Sequence, residues 1–447
     1  MDFKMDQQTY GDLNVFGGSE NNFSLFALFK KTKTVGGRAL IAHWMRNPLN
    51  SIEELQKRTA AIAYFSKSAV ELQINHDQFD LILHYVNYDR GFLRGNVLDS
   101  FFPWLNNRIK SNQNYYVVQV GIKYLLALLK YADQLSTLYI TVNAPTRLLE
   151  LANEIRTILE KPGIHYAVSL TNKTKLSFYQ LGKLDSLVRR ENRLVILEFL
   201  SLFYELDLFE TMAKVASELD FCLPSYVEHE NVAVSIEGLF HPALAAAVKN
   251  DLKIDHQSNL IFLSGSNMAG KSSLLKSTGI AIYLAHIGFP VPATKMQTVV
   301  FNGLITTINL ADMIENGLSH YYSEVMRVKK IATLLTERKK MFIILDELFK
   351  GTNAKDAFDA SLLVVNGFAV IPDSIFIISS HITELADELK TENIVFKYLA
   401  HLIIDEKPKF TYQLKTGVAK NGIGMYFIEK ENILGLLAEA KNKLCHR

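Results

Sequence analysis

The string Gly265-Ser266-Asn267-Met268-Ala269-Gly270-Lys271-Ser272 has the spacing G-x-x-x-x-G-K-S. It lies directly after an apolar run and before LLKSTGIAIYLAHIG, which reads as a helix. Strand, glycine loop and helix form the context in which this spacing holds phosphate. Glycines let the backbone curl so that successive N–H groups face one phosphate, and the helix N-terminus adds the positive end of its dipole. The expected ligand is a nucleoside triphosphate with Mg2+: Gly265 to Ser273 form the cradle, Lys271 reaches the β and γ oxygens, and Ser272 ligates Mg2+.

Downstream, MFIILDE ends an apolar strand in Asp346 and Glu347. Both carboxylates then stand at the carboxyl edge of a parallel sheet, where ligands of such sheets bind. Asp346 is the expected Mg2+ partner, and Glu347 is the candidate base that orients or activates the attacking water. By itself an acidic pair closing a buried strand is often a solvated end; the glycine loop upstream assigns it chemistry. The run SIFIISS ends in His381. That histidine is either a satisfied structural residue or a hydrogen-bonding contact to the γ-phosphate or its water.

These residues need a scaffold, and the texture of the chain divides near residue 222. Residues 23–222 are helical, with apolar side chains at three- and four-residue spacing, and Ser51-Ile-Glu-Glu-Leu supplies a capping-box start. KYLLALLKYADQLSTL (123–138) and TRLLELANEIRTILEKPG (146–163) are long enough to be arms, each on the order of 25 Å at 1.5 Å per residue. From 223 to 447, apolar strands alternate with helices: LIFLSG, VVFNGLITTI (299–308), MFIILDE and SIFIISS. That pattern predicts a mainly parallel sheet covered on both faces, with a tail of one strand, a turn and two closing helices. Residues 1–22 stand apart as an extension.

With 447 residues, two or three domains are expected, and 49% hydrophobic against 21% charged side chains predicts a folded chain throughout. A net charge of +2 gives no strong overall field, but residues 101–200 carry 13 basic against 7 acidic side chains. Cys222 and Cys445 are far apart with no Cys/His cluster nearby, so neither a disulfide framework nor a zinc site is signalled. The N-terminus lacks an apolar signal-peptide core, and the strongest apolar runs, such as LVILEFLSLF, are too short to span a membrane. A cytoplasmic protein in a reducing compartment is expected.

The strings SGSNMAGKSS, HIGFPVPA, ADMIENGLSHYYSEV, ILDELFKGTNAKDA and SSH, in this order, resemble the ATPase domain of the MutS mismatch-repair family. FALFKKTKTVGGRALIAHWMRNPL resembles the start of that family's core and lever domain, and ELDLFETMAKVASELDFCLPSYV with EGLFHPAL resembles the junction into its ATPase. The resemblance implies a multi-domain α plus α/β protein: a mostly helical lever/core domain, then a P-loop NTPase of the ABC type with C-terminal dimerisation helices. It also implies a homodimer with composite sites. Ser319, in Gly317-Leu318-Ser319, stands where the family's signature serine reaches the partner's γ-phosphate. Glu324 follows at the family spacing, Asn267 stands at the phosphate-loop asparagine, and Gly351-Thr352 with Asp356 matches the loop that faces the other subunit.

Several features depart from the family. Few residues precede the matching region, so no mismatch-reading domain is expected, and the interval from Gly37 to Gly265 is short for lever helices plus an inserted clamp. Nor is a nuclease-like module expected after the ATPase region. The family's GRGT is Phe349-Lys350-Gly351-Thr352 here, and the stacking aromatic expected near 247–250 falls on Ala247, Val248, Lys249 and Asn250.

Two functions follow. The first is a dimeric, ATP-hydrolysing, DNA-binding protein related to mismatch repair. Arg94, Arg108, Lys110, Lys123, Lys130, Arg147, Arg156, Lys173, Lys175 and Lys183 would track phosphates, and Phe101, Phe102, Trp104, Tyr115 and Tyr116 would stack on bases. The same residues can equally be a solvated helical face and its core. The second is a nucleotide-switched scaffold whose arms hold a protein partner without nucleic acid. An ABC transporter ATPase ranks below both, because GLSHYY stands in place of an LSGGQ-type signature. No membrane partner is expected.

Overall fold

The computed structural model describes residues 2–17, 23–68, 71–89, 93, 113–228, 232–255, 257–265, 269–308, 320–389, 391–404, 407–419 and 430–445. The chain forms two compact units. Leu25–Asn47 and Glu53–Glu218 make a helical unit, whereas Met1–Ser24, Pro48–Ile52 and Leu219–Arg447 make an α/β unit. Residues 2–17 are therefore no appendage. Their short helix α1 (Gln7–Asp12) is capped by Asp6 and packs on a strand of the α/β unit.

In the helical unit, α2 (Leu25–Phe29), α3 (Val35–Arg46), α4 (Ile52–Lys67) and α5 (His76–Val86) precede α6 (Gln113–Thr141), α7 (Thr146–Glu160), α8 (Pro162–Ser169), α9 (Phe178–Asp185) and α10 (Arg193–Leu219). Helix starts follow the side-chain chemistry. Thr34 caps α3 through Gly37 N–H, α4 begins directly after Ser51, and Ser177 with Gln180 forms a capping box on α9. The stretches expected to be arms are instead core helices. Leu125, Leu129, Ala132 and Tyr139 of α6, Leu148, Leu151 and Ile155 of α7, and Phe199 and Phe203 of α10 are all buried. Such a stripe, repeating down the whole helix, is satisfied only by neighbours along its length. The turn between α6 and α7 uses Asn143 at φ +48°, a conformation asparagine tolerates.

The α/β unit holds two sheets. One has the order β1 (Ser225–Tyr226), β5 (Lys295–Thr298), β2 (Val232–Leu239), β3 (Asn250–Asp255). The other has the order β10 (Lys407–Thr416), β9 (Ile394–Ile404), β4 (Leu260–Ser264), β8 (Ile375–Ser380), β7 (Met341–Asp346), β6 (Gly303–Thr307). All neighbours in the second sheet are parallel except the β9–β10 hairpin. Every residue of β4 is buried, as a central parallel strand under helices requires. Three helices of this unit bear on the site: α11 (Lys271–Ala285), α12 (His320–Glu337) and α13 (Ala354–Ala369). Phe368 of α13 stacks on Phe376 of β8 at 5.0 Å in the core.

The strand expected over 299–308 is shorter, because its first half hydrogen-bonds elsewhere. Val299 N–H goes to Ala233 O, and Phe301 N–H goes to the His286 ring. In the tail, residues 420–429, where the turn and the first of the two closing helices are expected, lie outside the described residues. After β10, one helix, α15 (Ile433–Cys445), is present among the described residues; the short α14 (Leu385–Glu388) precedes β9.

Candidate functional site

Because β4, β8 and β7 are parallel neighbours, their carboxyl ends share one edge, with Ser264 opposite Ser380 and Asp346 opposite Ser379. This register brings the glycine loop after β4, Asp346 and Glu347 after β7, and His381 after β8 into one neighbourhood. Gly265 and Gly270 adopt φ +151° and +97°, conformations that side-chain-bearing residues rarely take. Lys271, Ser272 and Ser273 then open α11. Ser266, Asn267, Met268 and Ser319 lie outside the described residues.

Lys271 is 4% exposed and donates from Nζ to Gly265 O at 2.6 Å. Burial pushes its ammonium pKa down, although Glu347, 3.5 Å away, and Asp346 pull the other way. Ser272 Oγ donates to Asp346 Oδ2 at 2.6 Å, and Ser379 Oγ donates to Asp346 Oδ1. A hydroxyl and a carboxylate oxygen thus converge, hard donors of the kind Mg2+ takes. Among the described residues no group of three or more His, Cys, Asp or Glu could hold a metal. The pair therefore fits an ion that keeps waters and substrate oxygens in its shell rather than one caged by protein.

Glu347 has a left-handed backbone at φ +53°, and its N–H reaches both Ser379 O at 3.1 Å and Ser379 Oγ at 3.2 Å. Such a conformation in a non-glycine residue persists only where neighbours enforce it. Its carboxylate faces Lys350 at 3.0 Å, Lys271 at 3.5 Å and the His381 ring at 3.8 Å. Burial opposes its ionisation, but Lys350, Lys271 and His381 outweigh that and hold its pKa below the ordinary range. Glu347 is thus ionised and able to accept a proton. His381 is half-exposed and lies nearer to Glu347 than a bystander would, yet beyond hydrogen-bond reach.

Glu324 acquires a concrete task. Its buried carboxylate accepts N–H groups from Lys350 at 3.3 Å and Gly351 at 3.4 Å, tying down the loop that follows Glu347. Asp356 lies in the first turn of α13, where Asn353 both caps its N–H and donates to its carboxylate.

A cavity of about 700 Å3 opens beside this edge, lined by His241, Ala247, Lys271, Ser272, Glu347 and Tyr412, among others. Tyr412 is an aromatic that sequence reasoning missed. It sits at a bulge in β10 with φ +56°, and a methyl placed on Gly270 would lie 3.0 Å from its ring. Asn250 secures the bulge, donating to Tyr412 O at 2.9 Å and accepting from Leu414 N–H at 2.7 Å. Residues 247–250 supply no aromatic ring, whereas β10 supplies one across the same cavity.

The candidate nucleic-acid residues fare differently. Arg94, Phe101, Phe102, Trp104, Arg108 and Lys110 lie outside the described residues. Tyr115 is buried, Tyr116 is exposed, and Arg147 is held by Glu205, Glu150 and Glu154 at 2.7 to 3.1 Å. Lys123, Lys130, Arg156, Lys173 and Lys175 are exposed, and Lys183 lies over the Tyr166 ring. No helix among the described residues is long and apolar enough to cross a membrane.

Family profiles match both parts of the chain: MutS domain III over residues 8–225 and MutS domain V over residues 261–445. Curated relatives include the DNA mismatch repair protein MutS of Aquifex pyrophilus, 29% identical over 230 residues, 50% of this chain and 26% of that protein. That of Staphylococcus haemolyticus is 27% identical over 306 residues, 61% of this chain and 34% of that protein. That of Lawsonia intracellularis is 33% identical over 167 residues, 36% of this chain and 18% of that protein. The chain thus spans about a fifth to a third of the length of these relatives.

Proposed function

Because this chain belongs to the MutS family, we propose that it is a Mg2+-dependent ATPase that acts on DNA as a homodimer. The observation that carries the reading is the convergence of Lys271, Ser272, Asp346 and Glu347 at one carboxyl edge beside a 700 Å3 cavity. Lys271 and the N-terminus of α11 bind and neutralise phosphate oxygens. Glu347, ionised and held by its neighbours, orients the water and accepts its proton. Tyr412 offers a face for the adenine, and Ser319 of a second copy completes the site. Ser272 and Asp346 would hold Mg2+, which when bound supplies charge neutralisation on the phosphates. The exposed Leu434, Leu436 and Leu437 of α15 suit the dimer.

The scaffold reading draws support from the helical unit, where Arg147 is already engaged by carboxylates and Tyr115 is core. One experiment separates the two: steady-state ATP hydrolysis by wild type and Glu347→Gln, titrated with linear, mismatched and branched DNA at two salt concentrations. The expected result is hydrolysis lowered at least 100-fold in the variant, with a wild-type rate changed by one DNA form and weaker coupling at high salt. Hydrolysis indifferent to every DNA form sinks the nucleic-acid half of the reading and leaves the scaffold.

A further inference from the structure

Residues 2–17 are bound within the α/β unit by polar contacts to β6 and, through Asp6, to α12. Lys4 bridges β6 in parallel, its N–H donating to Asn302 O and its carbonyl accepting from Leu304 N–H, both at 2.9 Å. Thr306 N–H donates to Thr9 Oγ1 at 3.0 Å. Thr306 Oγ1 and Ile308 N–H both donate to Asp12 Oδ2, at 2.7 and 2.9 Å. Asp6 meets Arg327 of α12, whose guanidinium also donates to Thr307 Oγ1 at 2.9 Å and Thr306 O at 2.7 Å. The Asp6 and Arg327 side chains are 12% and 9% exposed. Burial opposes ionisation of Asp6, but Arg327 and Thr9 outweigh it and hold the carboxyl far below the ordinary range.

Arg327 lies three residues after Glu324, so both side chains leave the same face of α12. Glu324 in turn carries the backbone of Lys350 and Gly351. A small cavity of about 70 Å3, lined by Glu324, Arg327, Asp346, Glu347, Phe349 and Lys350, lies between them. The loop after Glu347 is held by Phe349, buried against Tyr321, and at its backbone by the Lys350 and Gly351 N–H groups that donate to Glu324.

We propose that Asp6 is a positioning residue for Glu347: by holding Arg327 it sets the rotation of α12, and with it the placement of the Glu324 carboxylate that anchors the loop at 350–351. The catalytic consequence rests on the reading of Glu347 as the base; the mechanical link does not. Asp6→Asn isolates the link. Asparagine still accepts from Thr9 and caps α1, but it withdraws the charge that Arg327 faces.

Two readouts on the full chain test it. The first is amide hydrogen exchange of residues 347–352 without nucleotide; the second is kcat and KM for MgATP. Asp6→Asn should speed exchange at Lys350 and Gly351 on the order of tenfold, and lower kcat by a similar factor while KM stays within about twofold. Asp6→Glu keeps the charge, displaces it by one methylene and should give intermediate values. Should Asp6→Asn melt below the assay temperature, Asp6→Glu carries the comparison. Faster exchange confined to residues 2–17, with 347–352 and kcat as in wild type, overturns the proposal and leaves the segment a brace. Faster exchange at 350–351 in a protein with no ATP hydrolysis upholds the link and removes Glu347 as base.

Discussion

In the helical unit, Arg189 grips Asp185 with two nitrogens at 2.6 Å, while Tyr85 O–H and Leu93 N–H donate to the same carboxylate at 3.0 and 2.7 Å. In the α/β unit, Lys271 stands 3.5 Å from Glu347, beside a cavity and a glycine loop. Both pairs oppose a cation and a carboxylate away from water, and both cations lie on helices. Their surroundings separate them. Asp185 is fully buried, Arg189 spends its remaining nitrogen on Tyr88 O, and the Tyr85 ring fills the place a Cβ on Gly121 would take. Among the described residues, the hydrogen-bonding groups of this pair are all taken up within the protein. Lys271 and Glu347 meet through a longer contact, each with its pKa displaced, at a sheet edge open to a ligand. The difference shows that burial of charge does not mark a site by itself; burial beside space does.

Replacing each cation by methionine tests that contrast. Lys271→Met should lower ATP hydrolysis on the order of 1,000-fold while the unfolding free energy from urea melts changes by less than about 1 kcal/mol, because the carboxylates nearby keep Lys350 and Ser379 as partners. Arg189→Met should behave in reverse, destabilising the chain by about 3 kcal/mol in urea melts, because the fully enclosed Asp185 loses both guanidinium hydrogen bonds. A Lys271→Met protein that unfolds as readily as Arg189→Met would erase the distinction.

The third test concerns a buried group that carries no charge. His286 is fully enclosed at the end of α11; its Nδ1 donates to Ile282 O at 2.8 Å, and its Nε2 accepts from Phe301 N–H at 2.8 Å. A proton on Nε2 would face another N–H, and burial pushes the ring pKa down to about 4. An unfolded histidine, near 6.5, takes up its proton earlier, so the unfolded state binds more protons between the two values. Stability should therefore be full above pH 6.5 and fall by at most about 3 kcal/mol as the pH drops from 6.5 to 4, relative to His286→Phe. Urea melts at pH 7.5 and 4.5 measure it, and identical pH profiles in both proteins would exclude His286 as the source.

Much of the chemistry was legible because it is local in sequence. The glycine loop needs only its own residues and a flanking strand and helix, and MFIILDE and SIFIISS announce buried parallel strands by continuous apolar character. What was not legible depends on distant partners. The β9–β10 hairpin, the bulge that turns Tyr412 inward and the pairing of Lys4 with Gly303 leave no periodic trace in their own segments. Helices 123–138 and 146–163 were read as arms because length is local, whereas the side chains of α10 that cover them come from residues far along the chain.

The α/β unit is assembled from three stretches, and this sets an order of events during synthesis. The helical unit has all its residues by Glu218, and it can close while most of the other unit is still unmade. Residues 2–17, translated early, must wait for β6 and then α12 before their hydrogen-bonding groups find partners. Residues 2–17, which precede the helical unit in the chain, are thus among the last to settle, and Phe3, Leu13 and Val15, all buried in the finished unit, lack their full cover until β6 and α12 are made.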